Sequence, residues 1–590
     1  MLQGDRGLTL RSVRLTGFPR GLAAALVAAI ACSPLPGTPP ASPPASAYSP
    51  SSPTHRGGTL VAGDWEFPAT FDILAAPTDT GVRAAALVFS PLWGLDPALH
   101  PYPDLVREVP TQANRDVRVT PDGRTMYVDV KLVPGLRWSD GQPITADDVI
   151  FTWEALRDPA AGARSTLGID RIRAMDRRSD SEVVWTLDTF GGYLQIGPEF
   201  WVMPRHRLRA VPPGAWAAST FFAQPDAVSG PFAVESVVPG ERATLAANPH
   251  YADGRSAPAA YSEGRPPFRH PAYLDHIVLR AFPSRPALLQ AIAAGAVDIG
   301  FHLGPEDLHA LQGMAGSNPL VYVSPRQEML NPNHAQNTAA DRAPPWVSPG
   351  GQDRPVLEAL DRALDREAVV GAALGGAGRP ATALYAPSVG AWTGSPIPAT
   401  ADPEAARRLL DDDGWHLGAG GVRVKAGRRL EFELLSVCGS AAARAELDAI
   451  RRAWSAVGVT ADTGCRSRDQ LFGSGGVNAT GAFDMTLYSI GFASDPAAWA
   501  ALALPGEQNW NRCGDSRLDG LLTRAAAAIG PGERRAAYLA VQREWLAYHC
   551  TIPLFQWPVV VQAGARVRNF SPNPAMEPAT WNAADWWLTD

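Results

Sequence analysis

Strand and helix signals alternate along the chain after about residue 58, and this alternation constrains the fold more than any other feature of the sequence. For example, residues 430–438 have the pattern of a strand, residues 441–457 that of an amphipathic helix, and residues 459–465 that of a second strand. Strands that alternate with helices build βαβ units, in which two parallel strands are joined by a helix. The sequence therefore predicts an α/β fold with mixed sheets.

The chain is too long for a single hydrophobic core. At 590 residues it exceeds the size at which one core keeps growing, so two or three packed units are expected. The net charge is -7, with 59 acidic and 52 basic residues spread without runs of one sign. Nucleic acids and anionic membrane surfaces attract basic patches, so this pattern argues against both as partners and favours a soluble, secreted protein.

The N-terminus has the features of a signal peptide over residues 1–31. Basic residues precede an apolar run at 21–31, which ends in small residues just before Cys32. This run is too short for a spanning helix, which needs about 20 residues. A cysteine after a small residue at this point resembles the bacterial lipobox, which predicts cleavage before Cys32 and lipidation of its thiol. Ordinary secretion with cleavage near Ala31 is the alternative.

Residues 32–57 form the predicted tether that follows the lipidated cysteine. This segment consists mainly of Pro, Ser and Ala, and it contains too few large apolar residues to nucleate a core. Proline-rich segments favour the extended polyproline II conformation, at about 3.1 Å per residue. The folded body is therefore expected to stand several nanometres from the membrane.

Four further cysteines predict two disulfides, because their number is even and the chain is exported. They are Cys438, Cys465, Cys513 and Cys550. Of the three possible pairings, the predicted βαβ unit favours Cys438 with Cys465, since it places both at the same end of parallel strands. Metal binding is the alternative, but no CxxC motif or histidine cluster accompanies these cysteines.

Two helix starts are marked by capping residues. Thr145 is placed to cap a helix that has Asp148 in its first turn, where the helix dipole favours negative charge. Asp402 precedes Pro403 at the first position of another helix, which Gly414 ends. Both helices are predicted from local pattern alone.

The segment at residues 130–156, VKLVPGLRWSDGQPITADDVIFTWEAL, resembles the family 5 extracellular solute-binding proteins. This family contains the oligopeptide-, dipeptide- and nickel-chelate-binding components of ABC importers. Each match is weak alone, but further segments resemble the family in the same order along the chain. These segments are residues 57–60, 229–232, 273–300, 354–374, 402–415 and 483–496.

The resemblance implies an α/β fold of the type II periplasmic-binding-protein kind, with two large lobes joined by a hinge. Lobe I would comprise residues 58–320, with an additional subdomain at about 75–195. Lobe II would comprise residues 321–558, and residues 559–590 would return to lobe I. A ligand would be enclosed between the lobes. Closure of the hinge around that ligand can expose a new surface for a partner.

The same resemblance implies an extracytoplasmic, membrane-anchored lipoprotein that captures a solute and delivers it to the permease subunits of an ABC importer. We expect a monomer without cofactor or metal, attached to the membrane only through its lipid. A peptide is the first candidate ligand, and an oligosaccharide or a metal chelate is the alternative. A receptor that senses solute without transporting it would have the same sequence features.

Ligand-binding residues are expected at positions between the lobes. In oligopeptide-binding relatives, an Asp in a strand-end motif receives the terminal ammonium of the peptide. Phe492 occupies that position here, and a phenyl ring cannot accept a charge-assisted hydrogen bond. The candidate ligand-binding residues are Glu66, Trp93, Asn331, Trp392, Tyr488, Phe492 and Trp510.

A secreted hydrolase is the competing class of protein. The sequence contains no HExxH, no GxSxG and no phosphate-binding GxxxxGK[ST] motif, and its 11 histidines lack the spacing of metal ligands. No catalytic residue is therefore predicted, and a binding protein is favoured over an enzyme.

Overall fold

The computed structural model describes most of the chain from residue 48 onward. The residues it describes are 48–590 except 49, 77, 98, 164–165, 167, 217, 255–268, 349–350, 353, 386–391, 393, 395, 399, 438, 440, 492–494, 497–508, 574–577 and 590. The predicted signal peptide, Cys32, most of the tether, Cys438 and Phe492 lie outside these residues. Within the described part, no helix has the length and apolar content to cross a bilayer.

A large mixed sheet runs through the described chain. In space its strands follow the order β9, β8, β10, β6, β11, β5, β1, β4, β3, β2, and the short strand β7 pairs with β11. The strands are β1 (Thr59–Asp64), β2 (Phe232–Val238), β3 (Arg242–Ala247), β4 (His276–Ala281), β5 (Ile299–Leu303), β6 (Ser317–Pro332), β7 (Arg379–Pro380), β8 (Glu431–Val437), β9 (Thr460–Arg466), β10 (Met485–Gly491) and β11 (Ile552–Gly564).

Helices cover the sheet and connect its strands. The predicted helix starts are confirmed, because Asp148 accepts the Thr145 N–H at 2.8 Å and Asp402 accepts the Ala405 N–H at 2.8 Å. Within the described residues, the helices of nine or more residues are α1 (Asp79–Val88), α2 (Ala146–Leu156), α3 (Arg285–Ala293), α4 (Arg354–Arg362), α5 (Arg366–Leu374), α6 (Pro403–Asp412), α7 (Ala441–Ser455), α8 (Ser516–Ala527) and α9 (Pro531–Ala547).

The long strands β6 and β11 join the two lobes. Near their outer ends, β11 pairs with β5 of the first lobe, whereas β6 pairs with β10 of the second. Between these points β6 and β11 pair with each other in antiparallel register. The expected lobe boundaries, at 320/321 and 558/559, both fall within these two strands.

Each lobe has its own large hydrophobic core. The first core is built from residues between Leu60 and Phe301, together with C-terminal residues between Val561 and Leu588. The second is built from residues between Leu330 and Phe555. C-terminal residues therefore share the first core with residues from the N-terminal half of the described chain.

A separate four-stranded antiparallel sheet lies within the range predicted for the subdomain of lobe I. Its strands share the hydrophobic core of that lobe through side chains such as Val128 and Trp185, which are fully buried. The strands are Val117–Val119, Thr125–Lys131, Ile172–Ser179 and Glu182–Asp188.

A buried carboxylate fixes the C-terminal tail to the first lobe. Asp298, at the start of β5, is 5% exposed and accepts the N–H of Val61 at 2.8 Å. Its two oxygens also accept hydrogen bonds from the Arg566 guanidinium at 2.5 and 2.9 Å. Charge-assisted bidentate pairs of this kind are the stronger hydrogen bonds of proteins, so Asp298 links the first strand, β5 and the tail.

The βαβ unit predicted from the sequence is confirmed. β8 and β9 run parallel, with α7 between them in sequence, and Ser436 lies opposite Cys465. Cys513 and Cys550 form a disulfide with 5.4 Å between their Cα atoms. Cys465 is also disulfide-bonded. Of the three pairings that the sequence allowed, only the one containing the Cys513–Cys550 bond is compatible with this structure.

We predict that the Cys513→Ser/Cys550→Ser double variant loses about 3–4 kcal/mol of unfolding free energy, because the bond closes a loop with a sequence separation of 37. Denaturant unfolding of the oxidised protein and the variant measures the loss. Ser516→Ala, at an exposed position nearby, is the control and should leave stability within about 0.5 kcal/mol. Equal stability of wild type and double variant would contradict the prediction.

Candidate functional site

The second lobe contains a cavity of about 640 Å³. Its described walls come from β6, β8, β10 and β11, from helix α7, from the short helix Arg468–Phe472 and from the segment at residues 510–511. The cavity reaches the middle of both crossing strands, at Arg326 and Trp557. Its size lies within the roughly 300–1,000 Å³ that is typical of small-molecule sites.

Aromatic side chains form one wall of the cavity. The Phe472 ring lies 5.1 Å from the ring of Tyr488 and 5.7 Å from that of Trp510, measured between centroids. Tyr488 and Trp510 are 6.4 Å apart in an edge-to-face arrangement. Such a cluster offers ring faces to apolar, planar or cationic groups of a ligand.

The segment that carries Trp510 is fixed by several bonds. The Asn511 side-chain amide donates to the Cys550 carbonyl at 2.7 Å, and the Asn511 carbonyl accepts the His334 N–H at 2.8 Å. The disulfide of Cys513 follows two residues later. The disulfide therefore helps to hold an aromatic wall of the cavity against the end of α9 and the start of β11.

Two carboxyl groups are buried in the cavity wall. Glu328 on β6 is 6% exposed and accepts the Trp557 indole N–H at 2.7 Å, whereas Glu446 on α7 is 5% exposed. Glu446 Oε1 accepts no hydrogen bond from any described residue. Burial raises the pKa of Glu328 to about 7. Burial, followed by the negative charge of Glu328, raises the pKa of Glu446 well above its usual value.

Asn331 adds a third buried acceptor to the same cavity. Its side chain is fully buried, and its amide nitrogen donates to the Met329 carbonyl at 3.0 Å. Its Oδ1 atom accepts no hydrogen bond within the described part of the chain. A buried acceptor without a donor costs about 1–3 kcal/mol, so this atom marks a place where a donor from outside the protein would be stabilising.

Two arginines lie at the mouth of the cavity rather than at its floor. Arg326 is exposed, donates to the Ser489 hydroxyl at 2.7 Å and lies over the Trp557 ring at 5.5 Å. Arg468 is also exposed and lies over the Phe472 ring at 5.7 Å. The cavity is therefore polarised. The cations Arg326 and Arg468 lie at its exposed mouth, and the acceptors Glu328, Glu446 and Asn331 lie at its buried floor.

The structure brings together three of the seven candidate residues, Asn331, Tyr488 and Trp510, in this cavity. Glu66 lies in the first lobe beside a small cavity of about 30 Å³, where Thr80 donates to its carboxylate at 3.3 Å. Trp392 packs edge-to-face on Tyr538, 5.8 Å away, and is not among the described lining residues. Phe492 lies outside the described residues.

The placement of Trp93 requires a correction. Its side chain is fully buried in the core of the first lobe, where its indole N–H donates to the Leu194 carbonyl at 2.9 Å. Gly197 lies against its ring, because a Cβ built on this glycine would meet the ring at 1.9 Å. Trp93 therefore fills the core and offers no face to a ligand in this structure.

Several lining residues were missed by the sequence analysis, among them Glu328, Glu446 and Phe472. One signal was available for Glu446. It lies four and eight residues before Ile450 and Trp454, so it falls within the apolar stripe of a predicted amphipathic helix. A carboxyl group in that position is either paired or functional, because burying an isolated charge is costly.

Sequence comparisons match most of the chain to one protein family. The model described as "Bacterial extracellular solute-binding proteins, family 5 Middle" matches residues 101–512. Protein XP55 of Streptomyces lividans is 27% identical over 363 residues, which cover 62% of this chain and 59% of that protein. The oligopeptide-binding protein AppA of Bacillus subtilis is 25% identical over 410 residues, covering 66% of this chain and 65% of AppA. The chain thus spans less than two thirds of the length of either relative.

Solved structures share the fold over nearly the whole chain. AppA of Bacillus subtilis in complex with a nonapeptide has a TM-score of 0.65 at 18% identity, covering 91% of this chain and 100% of AppA. NikA of Brucella suis in complex with Fe(III)-EDTA has a TM-score of 0.69 at 17% identity, covering 90% of this chain and 100% of NikA. The two-lobed architecture predicted from the sequence is confirmed.

We predict that the ligand-free protein becomes less stable between pH 4.5 and 7. Folding raises the pKa of both Glu328 and Glu446, so the folded state keeps protons that the unfolded state has already lost, and the free energy of unfolding falls as the pH rises. The Glu328→Gln/Glu446→Gln variant should lack this decrease, of which the pKa shift of Glu328 alone accounts for about 3 kcal/mol. Chemical unfolding at pH 4.5 and pH 8 measures it.

The control for this prediction is Asp448→Asn, which removes one exposed carboxylate from the same helix as Glu446. It should keep the pH dependence of the wild type. Parallel pH profiles of the wild type and the double variant would show that the buried carboxyls do not titrate as inferred.

Proposed function

Since this chain belongs to the family 5 bacterial extracellular solute-binding proteins, we propose that it captures a solute between its lobes and delivers it to the permease subunits of an ABC importer. The observation that carries this proposal is the cavity with an aromatic wall and buried acceptors beside the crossing strands. These features are those of a ligand site, in which apolar walls and a few convergent polar groups determine specificity.

The proposed motion is a hinge closure about β6 and β11. Lobe I would comprise residues 58–320, lobe II residues 321–558, and residues 559–590 would return to lobe I. Because Arg326, Glu328 and Trp557 lie on the crossing strands and also line the cavity, a ligand there contacts the hinge directly. Differential contact with the open and closed states is what allows a ligand to shift such an equilibrium.

A peptide is the ligand that the cavity supports best. Peptides carry both charges and apolar side chains, which match the arginines at the mouth, the carboxyls at the floor and the aromatic wall. A chelate such as the Fe(III)-EDTA bound by NikA presents several carboxylates, to which the buried acceptors of the cavity offer no positive charge. An oligosaccharide would leave the charged groups of the cavity without partners.

The protein is proposed to work without catalysis and outside the cytoplasm. Its family consists of solute-binding proteins. Residues 1–31 would direct export, Cys32 would carry the lipid, and residues 32–57 would act as the tether of a monomeric lipoprotein.

We predict that peptides stabilise the purified protein against heat and that Trp510→Ala weakens their binding about tenfold or more. Loss of the indole removes apolar contact and one face of the aromatic wall. Melting shifts with a panel of di- to decapeptides, oligosaccharides and metal chelates identify the ligand class, and calorimetric titration then gives the affinity of each variant.

Trp392→Ala is the matched control, because this half-buried tryptophan lies outside the described cavity wall. It should leave ligand affinity within about twofold of the wild type, whatever its effect on stability. Equal loss of affinity in both variants would show that the ligand does not sit against Trp510.

We also predict that membrane attachment depends on the thiol of Cys32. In the native host, Cys32→Ala should move the protein from the membrane to the soluble extracytoplasmic fraction, because stable anchoring needs covalently attached acyl chains. Cys513→Ala/Cys550→Ala, which removes thiols far from the N-terminus, should leave any folded protein on the membrane. Membrane retention of Cys32→Ala would disprove lipidation at this site.

A further inference from the structure

The floor of the cavity contains acceptor atoms that have lost water without gaining donors from the protein. Glu446 Oε1 and Asn331 Oδ1 are both buried, and neither accepts a hydrogen bond from a described residue. Glu328 lies in the same wall, where it accepts hydrogen bonds from the Trp557 indole N–H and from the Ser489 hydroxyl. Native proteins satisfy nearly all buried polar atoms, so acceptors left unsatisfied around one cavity indicate a missing donor group.

The charges that surround this floor do not neutralise it. Arg326 faces Glu328 from the same strand, but its side chain is exposed and its Nε atom is bonded to Ser489. Arg468 is exposed at the mouth, over Phe472. No other described residue that lines the cavity carries a positive charge. The group that completes the floor must therefore donate hydrogen bonds, and a positive charge on that group would pair with the ionised forms of Glu328 and Glu446.

We propose that Glu446, Glu328 and Asn331 form a subsite for a protonated amine, and that the solute of this protein is a cationic or zwitterionic molecule bound with its ammonium group inward. This inference rests on the proposed binding function and specifies its ligand. An ammonium group presents three donors and no acceptor, which suits a floor made of acceptors. The neighbouring ring faces of Tyr488 and Trp510 provide cation–π contacts.

The polarity of the cavity sets the direction in which such a solute enters. The arginines at the mouth can bind a carboxylate, whereas the unpaired atoms of the floor are hydrogen-bond acceptors. A zwitterion bound in the reverse direction would place its carboxylate against Glu328 and Glu446. Such a carboxylate would oppose ionisation of both carboxyls and would form no ion pair there, so the orientation with the ammonium group inward is favoured.

Binding of the ammonium group should release protons. Burial raises the pKa of both floor carboxyls in the ligand-free protein, and a bound cation favours their ionised forms. The groups that face this pair are Arg326, Ser489, Trp557, Asn331, Tyr488 and, at the mouth, Arg468. The affinity for a cationic solute should therefore rise with pH between about 5 and 8.

The test uses matched probes that differ in cationic groups. The peptide Ala-X-Ala, with X as lysine or norleucine and with a free or acetylated amino terminus, gives four ligands with zero, one or two ammonium groups. Pentane-1,5-diamine and pentane-1,5-diol extend the comparison beyond peptides. Calorimetric titration at pH 8 should show at least tenfold tighter binding for probes with an ammonium group than for their neutral partners, with proton release on binding.

Glu446→Gln should reduce this preference about tenfold or more, because it keeps the size of the side chain but removes the charge. Asp448→Asn, which removes an exposed carboxylate from the same helix, should leave the preference unchanged. The melting temperature of each variant without ligand verifies its fold. A further variant, Asn331→Asp, should retain or strengthen the preference for the cationic probes.

The outcomes separate this inference from the proposed function. Binding of neutral or anionic solutes from the wider panel, without preference for ammonium groups, would overturn the subsite and leave the binding function intact. A cation preference that survives in Glu446→Gln would also overturn it. If no member of the panel binds the folded protein, both the subsite and the proposed function are wrong.

Discussion

The pairing of β6 with β11 is the interaction on which the rest of the molecule depends. Their antiparallel ladder links the two lobes, yet its register shifts between Val323 and Gln327. Pro325 and Pro558 lie at this interruption, and proline has no N–H to donate to a ladder. The Ser324 hydroxyl instead donates to the Trp557 carbonyl at 2.9 Å. The connection therefore continues through the crossing with fewer ladder bonds than on either side, as a hinge requires.

The ligand cavity begins where this interruption ends. Arg326 and Glu328 follow it on β6, and Trp557 lies opposite on β11. A bond between Glu328 and the Trp557 indole spans the two strands at 2.7 Å. A group that enters the cavity and changes the charge of Glu328 thus acts on a contact between the two strands that carry the motion. In the proposed hinge closure, this contact would couple ligand binding to lobe movement.

Local pattern predicted the fold well and the site only in part. The βαβ unit around α7 and the caps at Thr145 and Asp402 depend on residues close in sequence, and all were predicted correctly. The cavity instead combines residues separated by more than 200 positions, from β6 to β11, and periodicity carries no information about such pairs. Aromatic character alone could not separate Trp510, which lines the cavity, from Trp93, which fills a core.

The buried acceptors explain how a cavity of this size can discriminate between solutes. An apolar wall distinguishes ligands weakly, since a methylene group contributes only about 1–3 kcal/mol. An acceptor that stays unpaired in the wrong complex excludes the competitor more strongly, because the complex then bears the full cost of a buried polar atom. Glu446 and Asn331 already lack donors in the ligand-free state, and closure over a solute that brings no donor would leave them unpaired. A donor-bearing cation relieves this cost as the lobes close, so the same residues that destabilise the empty protein favour closure around the correct ligand.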